Sequence, residues 1–192
     1  MKKILYFILP VILAVSALSF TSCGDEGDAG REAFSPESAA YKIMLPPEDW
    51  MEISVSFDPA PDQLGIFHTP SGIILIIDSY RKATLADIGV SELNSFIDFY
   101  KSLERIKSMY EDNIRTGNLT DIDKNDIKKS SVTAGKRQSF YLQGSIGEYI
   151  NELIHLETDD YFLAISYSSP TEKLSDNQQI VTDVIAHIST EK

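Results

Sequence analysis

Three oxygen-bearing side chains at alternating positions, Asp121, Asp123 and Asn125, have the spacing with which a calcium-binding loop begins. Such a loop needs glycine at its sixth position for a sharp turn and glutamate at its twelfth to close the oxygen shell. Here those positions hold Asp126 and Val132. The sequence therefore favours a solvated polar loop, and weak, salt-sensitive cation binding by the loop stays open as an alternative.

Three short segments carry the residue types of a serine hydrolase. Residues 79–82, 175–177 and 115–117 fit the Ser-x-x-Lys, Ser-Asp-Asn and, nearly, the Lys-Thr-Gly elements of penicillin-recognising enzymes. In those enzymes the Thr-Gly element comes last, whereas here it lies between the other two. No Gly-x-Ser-x-Gly, P-loop or Gly-x-Gly-x-x-Gly motif occurs. We therefore expect no catalytic residue, no cofactor and no enzyme activity.

The histidines and the single cysteine do not form a metal-binding pattern. His68, His155 and His187 are too far apart in sequence to match a metal-ligand spacing, and one cysteine excludes an internal disulfide and a cysteine-based zinc site. His155 alternates along a predicted strand and is expected at its rim or surface. His187 follows an apolar helical stripe, where a cation would suit the helix dipole. We expect no metal site.

The only local group of basic residues is formed by Lys128, Lys129, Lys136 and Arg137. If the flanking strands pair through a turn at residues 132–135, the four side chains come close and form a docking patch for an acidic partner. The alternative, scattered charge on an edge strand, protects against aggregation. The sequence favours this second interpretation.

The composition excludes two classes of protein. The 192 residues include 17 Lys+Arg and 29 Asp+Glu, which gives a net charge of −12 at pH 7. Because phosphate contacts need clustered Lys and Arg, a nucleic-acid-binding protein is excluded. Hydrophobic residues make up 43% and aromatic residues 10%, too much for a disordered chain.

The first 23 residues have the organisation of an export signal. Two lysines precede an uncharged apolar segment, residues 4–18, and mostly small residues follow up to Cys23. This order is typical of a secretory signal peptide. The last four residues, Phe-Thr-Ser-Cys, resemble a bacterial lipobox, with Phe20 where leucine is usual. The resemblance implies cleavage between Ser22 and Cys23 and attachment of fatty acyl chains, such as palmitate, to Cys23.

Two alternatives to a cleaved signal fit the same segment. Residues 4–24 carry no charge and are long enough to cross a bilayer of roughly 30 Å, so an uncleaved membrane anchor is the first alternative. A buried core helix is the least favoured. The lipoprotein interpretation places the mature chain on the extracytoplasmic side of a bacterial membrane, at the outer membrane or cell surface in a Gram-negative cell. We expect a membrane contact through the lipid and an envelope protein as partner.

The rest of the chain divides into a linker and one domain. Residues 23–38 are rich in glycine and acidic residues and predict a flexible tether, or a surface-export signal of the kind found in some Gram-negative lipoproteins. Residues 39–192 are predicted to form a single domain, long enough to bury a core without disulfides.

Hydrophobic periodicity predicts an α+β fold. Strands are predicted at residues 41–45, 50–57, 64–68, 72–80, 127–133, 137–143, 149–157 and 161–167. Residues 73–77 and 161–167 are apolar on both faces, so they are expected in the middle of a sheet. Helices are predicted at 91–112, with Ser91 as N-cap, and at 176–188, with Ser175 and Gln178 as a capping box. We expect a mainly antiparallel sheet of six to seven strands flanked by two principal helices.

The order of these elements resembles a known family. Residues 41–46 followed by Trp50, the next apolar strand, the long helix, residues 135–137 before a meander and the closing helix are similar to PsbP-like domains, which DcrB-like bacterial lipoproteins carry. The resemblance covers residues 39–188 and implies a PsbP-like sandwich with a non-catalytic envelope role. Photosystem members of the family support a metal cluster, but no residue of this chain matches a metal-binding motif from them.

These observations favour a lipid-anchored binding or accessory protein of the cell envelope. A carrier for a small ligand or cation is the alternative, and an envelope hydrolase is the least favoured.

Overall fold

The computed structural model describes residues 30–55, 62–104, 106–107, 115–144 and 147–190. In this part of the chain the strands are β1 (Glu32–Phe34), β2 (Lys42–Leu45), β3 (Trp50–Ile53), β4 (Gln63–His68), β5 (Ile73–Arg81), β6 (Arg115–Asp121), β7 (Ala134–Gly144), β8 (Gly147–Glu157), β9 (Tyr161–Pro170) and β10 (Ile188–Ser189). The helices are α1 (Lys82–Ala86), α2 (Leu93–Ser102) and α3 (Leu174–Ala186), the last preceded by a 3₁₀ turn, Thr171–Lys173.

Seven strands form one antiparallel sheet in the order β3-β4-β5-β9-β8-β7-β6, and a small sheet has the order β1-β2-β10. β5 and β9 lie in the interior of the large sheet, as their apolar character on both faces predicts. The turn between β4 and β5 contains Gly72 at φ +74°, a backbone conformation that glycine adopts without strain. The predicted α+β fold with a mainly antiparallel sheet is confirmed.

One hydrophobic core lies between the large sheet and the layer formed by α3 and the small sheet. The inward residues of α3, Val181, Val184 and Ile185, are at most 1% exposed. They pack with inward side chains of the central strands and of β2. We call this side of the large sheet the α3 face.

A second core fills the opposite side, the α2 face. Phe96 of α2 is completely buried and stacks on Phe162 of β9, with ring centroids 4.8 Å apart. Tyr80 of β5 meets Phe99 and Tyr100 edge-on. Because both faces are covered, the interior strands can be apolar on both sides.

The edge strand β6 differs from the prediction, which placed a loop at residues 113–126 and a strand at 127–133. β6 spans Arg115–Asp121 and pairs with β7, whereas residues 124–129 form turns. An edge strand can be held by backbone pairing with a single neighbour and does not need alternating buried side chains. The sequence of β6 is polar and therefore shows no hydrophobic periodicity. Ile127 and Val132 are buried as apolar contacts of the connecting segment.

The ordered domain begins before the predicted boundary at residue 39. β1 pairs with β2, Phe34 is 4% exposed, and the Arg31 guanidinium donates to the Met44 carbonyl at 3.1 Å. One aromatic side chain therefore fixes the end of the predicted linker to the small sheet.

The helix ends also differ from the predictions. Glu92, rather than Ser91, is the N-cap of α2 and forms a capping box with Ser95. α3 begins at Leu174, and its N-cap makes no side-chain hydrogen bond. Gln178 binds Glu152 instead of the predicted cap, because a buried carboxylate lies within its reach.

Candidate functional site

A buried carboxylate, Glu152, is the centre of a polar network on the α3 face. β7, β8 and β9 place Ser139, Glu152 and Tyr167 side by side. Ser139 Oγ and Gln178 Nε2 each donate to Glu152 Oε1 at 2.7 Å. Tyr167 Oη donates to Glu152 Oε2, and Arg137 Nε lies 3.4 Å from the same oxygen. Three hydrogen-bond donors and one guanidinium, from two strands and one helix, thus surround one carboxylate.

The network explains how a charge is tolerated inside the sheet layer. Glu152 is 0% exposed, so its desolvation must be offset by hydrogen bonds and by the nearby guanidinium. Burial, and next the hydrogen bond to Glu152, raises the pKa of Tyr167 well above its usual range. Tyr167 therefore stays protonated and keeps donating, and the carboxylate oxygens are engaged in holding α3 to the sheet.

Arg137 connects this network to a small cleft between α3 and the segment that follows β6. The cleft has a volume of 110 Å³, and its lining includes the acidic residues Asp121, Asp123 and Asp126, the hydroxyl residues Thr120 and Thr182, and Arg137. Three acidic residues against one guanidinium give the cleft a net negative charge. Its chemistry suits a small cationic or zwitterionic group better than an anion.

The acidic loop is held by its own hydrogen bonds. Asp123 Oδ1 accepts from both the backbone N–H and Nδ2 of Asn125, each at 2.8 Å. This is the geometry of an Asx turn. Among the residues that the structure describes, no three carboxylate, imidazole or thiol groups are placed to hold a metal ion together.

The four basic residues of the predicted docking patch take different positions. Lys136 Nζ lies 3.6 Å from Asp121 Oδ1, and Arg137 points toward Glu152 on the α3 face. Since neighbouring strand residues alternate between faces, β7 separates these two side chains. Lys128 and Lys129 lie exposed in the turns at residues 124–129. The strand β7 already begins at Ala134, so the expected turn at 132–135 is not formed.

His155 is completely buried on the α2 face, so its expected rim or surface position is wrong. Its ring meets Phe96 and Tyr100 edge-on, with centroids 5.9 and 5.5 Å apart. Within the described part of the chain, neither ring nitrogen has a hydrogen-bond partner. Burial, and secondarily the charge of Lys101, lowers the pKa of His155 to about 3. The imidazole is therefore neutral near neutral pH.

A second buried carboxylate, Asp78, lies on the same face of the sheet. Tyr100 Oη donates to its Oδ2 at 2.5 Å, and Gln63 Nε2 donates to its Oδ1 at 2.7 Å. Asp78 thus joins α2 to the central strands, as Glu152 joins α3 to the other side.

The serine-hydrolase fragments make structural contacts. Ser79 Oγ donates to the Asp62 carbonyl at 3.2 Å, and Lys82 pairs with Glu157 at 2.7 Å. Ser175 lies exposed in the first turn of α3. In the third fragment, β6 begins with Arg115, Thr116 and Gly117 at the sheet edge.

The remaining histidines contact residues that lie three or four positions away in the sequence. His68 Nδ1 lies 2.8 Å from Ser71 Oγ in the β4–β5 turn. His187 follows α3, and its Nδ1 lies 2.8 Å from the Asp183 carbonyl, as the prediction of a helix-terminal position implies.

Ser22 and Cys23, the predicted cleavage and lipidation residues, lie outside the described residues. Across the described segments, no helix combines the length and the apolar character that a bilayer crossing would require.

Sequence reasoning missed Glu152 and Asp78, although each left a signal. Glu152 follows Ile150 and precedes Ile154 at inward positions of one strand, and Asp78 ends the apolar run of residues 73–77. A single carboxylate at an inward position of an otherwise apolar strand indicates a buried polar network.

Comparison with known proteins found similarity of fold. No protein-family model and no curated protein sequence matches the chain. The solution structure of cyanobacterial PsbP from Synechocystis sp. is similar, with a TM-score of 0.52, 13% identity, and coverage of 88% of this chain and 97% of that one. A crystal structure from Bacteroides thetaiotaomicron also has a TM-score of 0.52, with 12% identity, and is matched over 85% of this chain and 49% of that one.

A more distant similarity is to LpqN of Mycobacterium tuberculosis, a protein involved in cell envelope biogenesis, with a TM-score of 0.45 and 9% identity over 81% of this chain and 84% of that one. At 13% and 12% identity, the comparisons with cyanobacterial PsbP and with the Bacteroides thetaiotaomicron protein establish a fold. The seven-stranded antiparallel sheet, the small sheet and the helices of this chain form a PsbP-like fold.

Proposed function

We propose that this chain is a lipid-anchored, extracytoplasmic accessory protein of a bacterial cell envelope, which acts by binding and carries out no chemistry of its own. The observation that carries the proposal is the position of its only cysteine, directly after an apolar export signal and a lipobox-like Phe-Thr-Ser. The expected mature chain begins at Cys23 and is held by its acyl chains.

The chemistry of the buried polar groups supports a non-catalytic role. A general base needs a lone pair directed at substrate, and a nucleophile needs a base beside it. Glu152 accepts three hydrogen bonds and lies beside the Arg137 guanidinium. His155 is neutral and lies among aromatic rings. Glu152, through Gln178, and His155, through its contacts with Phe96 and Tyr100, thus help to hold helices on the sheet.

The charge of the chain supports a domain that stands away from the bilayer. Each buried CH₂ of an acyl chain contributes about 0.8 kcal/mol, so two or three chains hold a protein firmly. The acidic domain is repelled by anionic head groups. A firm anchor with a repelled domain leaves the surface of the domain available to other envelope proteins.

The test compares the membrane association of the wild-type chain with that of two variants in a bacterial host. The proposal expects wild type and Ser22→Ala, which keeps a small residue before the cysteine, to enter the detergent phase after cleavage. Cys23→Ser should lose acylation and remain uncleaved. Equal acylation, cleavage and detergent partitioning of Cys23→Ser and wild type would contradict the proposal.

A second candidate function, binding of a small cation or zwitterion, is favoured by one observation, the acidic cleft beside Arg137. Its test is the melting temperature of the full chain with calcium or with lysine. Ligand-dependent stabilisation that Asp126→Asn removes would support this function, and an unchanged melting temperature would contradict it.

A further inference from the structure

β3 is an edge strand of the large sheet and has no second neighbour among the strands that the structure describes. It pairs with β4 through four consecutive residues in regular register, and it is the last strand of the sheet order on that side. The other edge strand, β6, has a register shift between Thr116 and Leu119. Irregular edges hinder the addition of another strand, whereas a regular edge presents backbone donors and acceptors to one. β3 is therefore the edge better suited to accept a further strand.

Apolar side chains lie beside this edge on the α2 face of the sheet. The register forms two cross-strand rows, Met51–Phe67–Ile74 and Ile53–Gly65–Ile76. The five apolar side chains of these rows are only half-buried. They belong to neither of the two hydrophobic cores of the described residues. We call these five residues (Met51, Ile53, Phe67, Ile74 and Ile76) the β3 platform.

The opposite face of the same edge is acidic. Glu52 lies between Met51 and Ile53 in β3 and points to the other side of the sheet. Burial, and next the charge of Glu32 in β1, raises the pKa of Glu52. The charge of Glu32 therefore acts on Glu52 on this face of the sheet. A strand added here would have apolar residues on one face and a basic residue on the other.

Charge decides among the possible occupants. The chain's own tether, residues 24–31, contains acidic and glycine residues and would add negative charge beside Glu52. A second copy would bring another Glu32 and Glu52 to the same edge and a further net charge of −12. A partner segment that alternates apolar and basic residues can pack on the β3 platform, pair with the β3 backbone and bind the carboxylates at the same time.

We propose that β3 binds an extended segment of a partner protein as an additional antiparallel or parallel strand, with the apolar side chains of that segment on the β3 platform and its basic side chains facing Glu52 and Glu32. This inference rests on the proposed binding function and names the class of partner. Eight residues separate Cys23 from Glu32 and span at most about 30 Å, so an anchored chain would meet such a segment close to the membrane.

The test uses the purified full chain in detergent and a fluorescent peptide of about eight residues that alternates valine and lysine. Two control peptides have the same valines and lysines in separate blocks, or glutamate in place of lysine. Fluorescence anisotropy at about 0.15 M salt should show binding of the alternating basic peptide at least about ten-fold tighter than of either control. Hydrogen exchange of β3 amides should slow when this peptide binds.

Two charge reversals locate the site. Glu52→Lys should weaken binding of the basic peptide by about ten-fold and favour the glutamate peptide. Glu172→Lys makes the same change of net charge at an exposed residue of the 3₁₀ turn and should alter binding by less than about two-fold. Equal binding of the three peptides, equal effects of the two variants, or a dimer formed through β3 would overturn the proposal.

The test of the β3 site and the test of the lipid anchor can fail independently of one another. The peptide assay does not depend on acylation of Cys23, which is measured by detergent partitioning. An acylated chain that binds none of the peptides would overturn the β3 site alone, and a peptide-binding chain without acylation would overturn the anchor alone.

Discussion

Three hydrogen-bond donors and one guanidinium converge on the buried carboxylate of Glu152, so its removal affects more than one hydrogen bond. Glu152→Ala should lower the free energy of unfolding by about 3 kcal/mol, because Arg137 and three hydrogen-bonding side chains lose their partner in a buried layer. Tyr167→Phe removes one donor and should cost about 1 kcal/mol.

Urea denaturation measures both changes. Equal midpoints for wild type and Glu152→Ala would contradict the view that this network holds α3 to the sheet.

His155 should make the stability of the domain depend on acidity. Its pKa is about 3 in the folded chain and near 6.5 when unfolded, so between these values the unfolded state binds the additional proton. The contribution is fully present above pH 6.5 and is lost as the pH falls toward 3, at no more than about 1.4 kcal/mol per pH unit. Lys101 of α2 adds positive charge near His155. The Lys136 side chain, on the neighbouring strand, pairs with Asp121, and the nearby carboxylate of Asp78 accepts hydrogen bonds from Tyr100 and Gln63.

The measurement is the unfolding free energy at several pH values between 4 and 7 for wild type and two variants. His155→Leu should flatten the acid side of the profile, whereas His187→Gln, which changes a helix-terminal histidine, should keep the wild-type slope. The same slope in wild type and His155→Leu would count against a neutral buried imidazole.

At the scale of elements, the sequence predicted the strands that are buried and missed those held mainly by backbone pairing. β5 and β9 are apolar on both faces, so composition alone placed them inside a sheet. β6 is polar and lies at an edge, and β1 has three residues. Their strand structure depends on pairing with β7 and β2, which no local pattern encodes. The site residues were hidden for the same reason, since Glu152 acquires its partners from three other elements.

Gly65 is an element-scale constraint on the edge strand. A Cβ at this position would lie 2.8 Å from the Ile53 carbonyl oxygen and in collision with Val55 Cγ2. Gly65→Ala should therefore push β3 away from β4 and destabilise the domain by about 2 kcal/mol, which lowers its melting temperature by roughly 5 °C.

The double variant Gly65→Ala/Val55→Ala removes the side-chain collision and leaves the backbone contact, so it should recover part of the melting temperature. A melting temperature equal to wild type for Gly65→Ala alone would show that the edge strand can move without cost.

At the scale of the whole molecule, the start of the folded domain determines how the chain can be tethered. Phe34 lies in the α3-side core, although it belongs to the segment predicted as linker. Phe34→Ala should destabilise the domain by about 3 kcal/mol, while Ala33→Ser on the exposed side of the same strand should change little. Thermal denaturation of the two variants distinguishes these effects. Equal melting temperatures would contradict the assignment of β1 to the folded domain.

This arrangement makes the tether short and acidic. The folded part begins at β1, so an anchored Cys23 leaves eight residues between lipid and domain. The charge of Glu32 in β1 acts on Glu52 of β3, the edge strand of the large sheet among the described residues. A domain held in this way would present one sheet edge to proteins near the membrane surface.

The most direct test of the account is the mass of the N-terminal peptide of the chain isolated from bacterial membranes. We predict a peptide that begins at Cys23, lacks residues 1–22 and carries acyl chains on the cysteine. A chain that retains residues 1–22, or one that begins elsewhere with an unmodified thiol, would contradict the account.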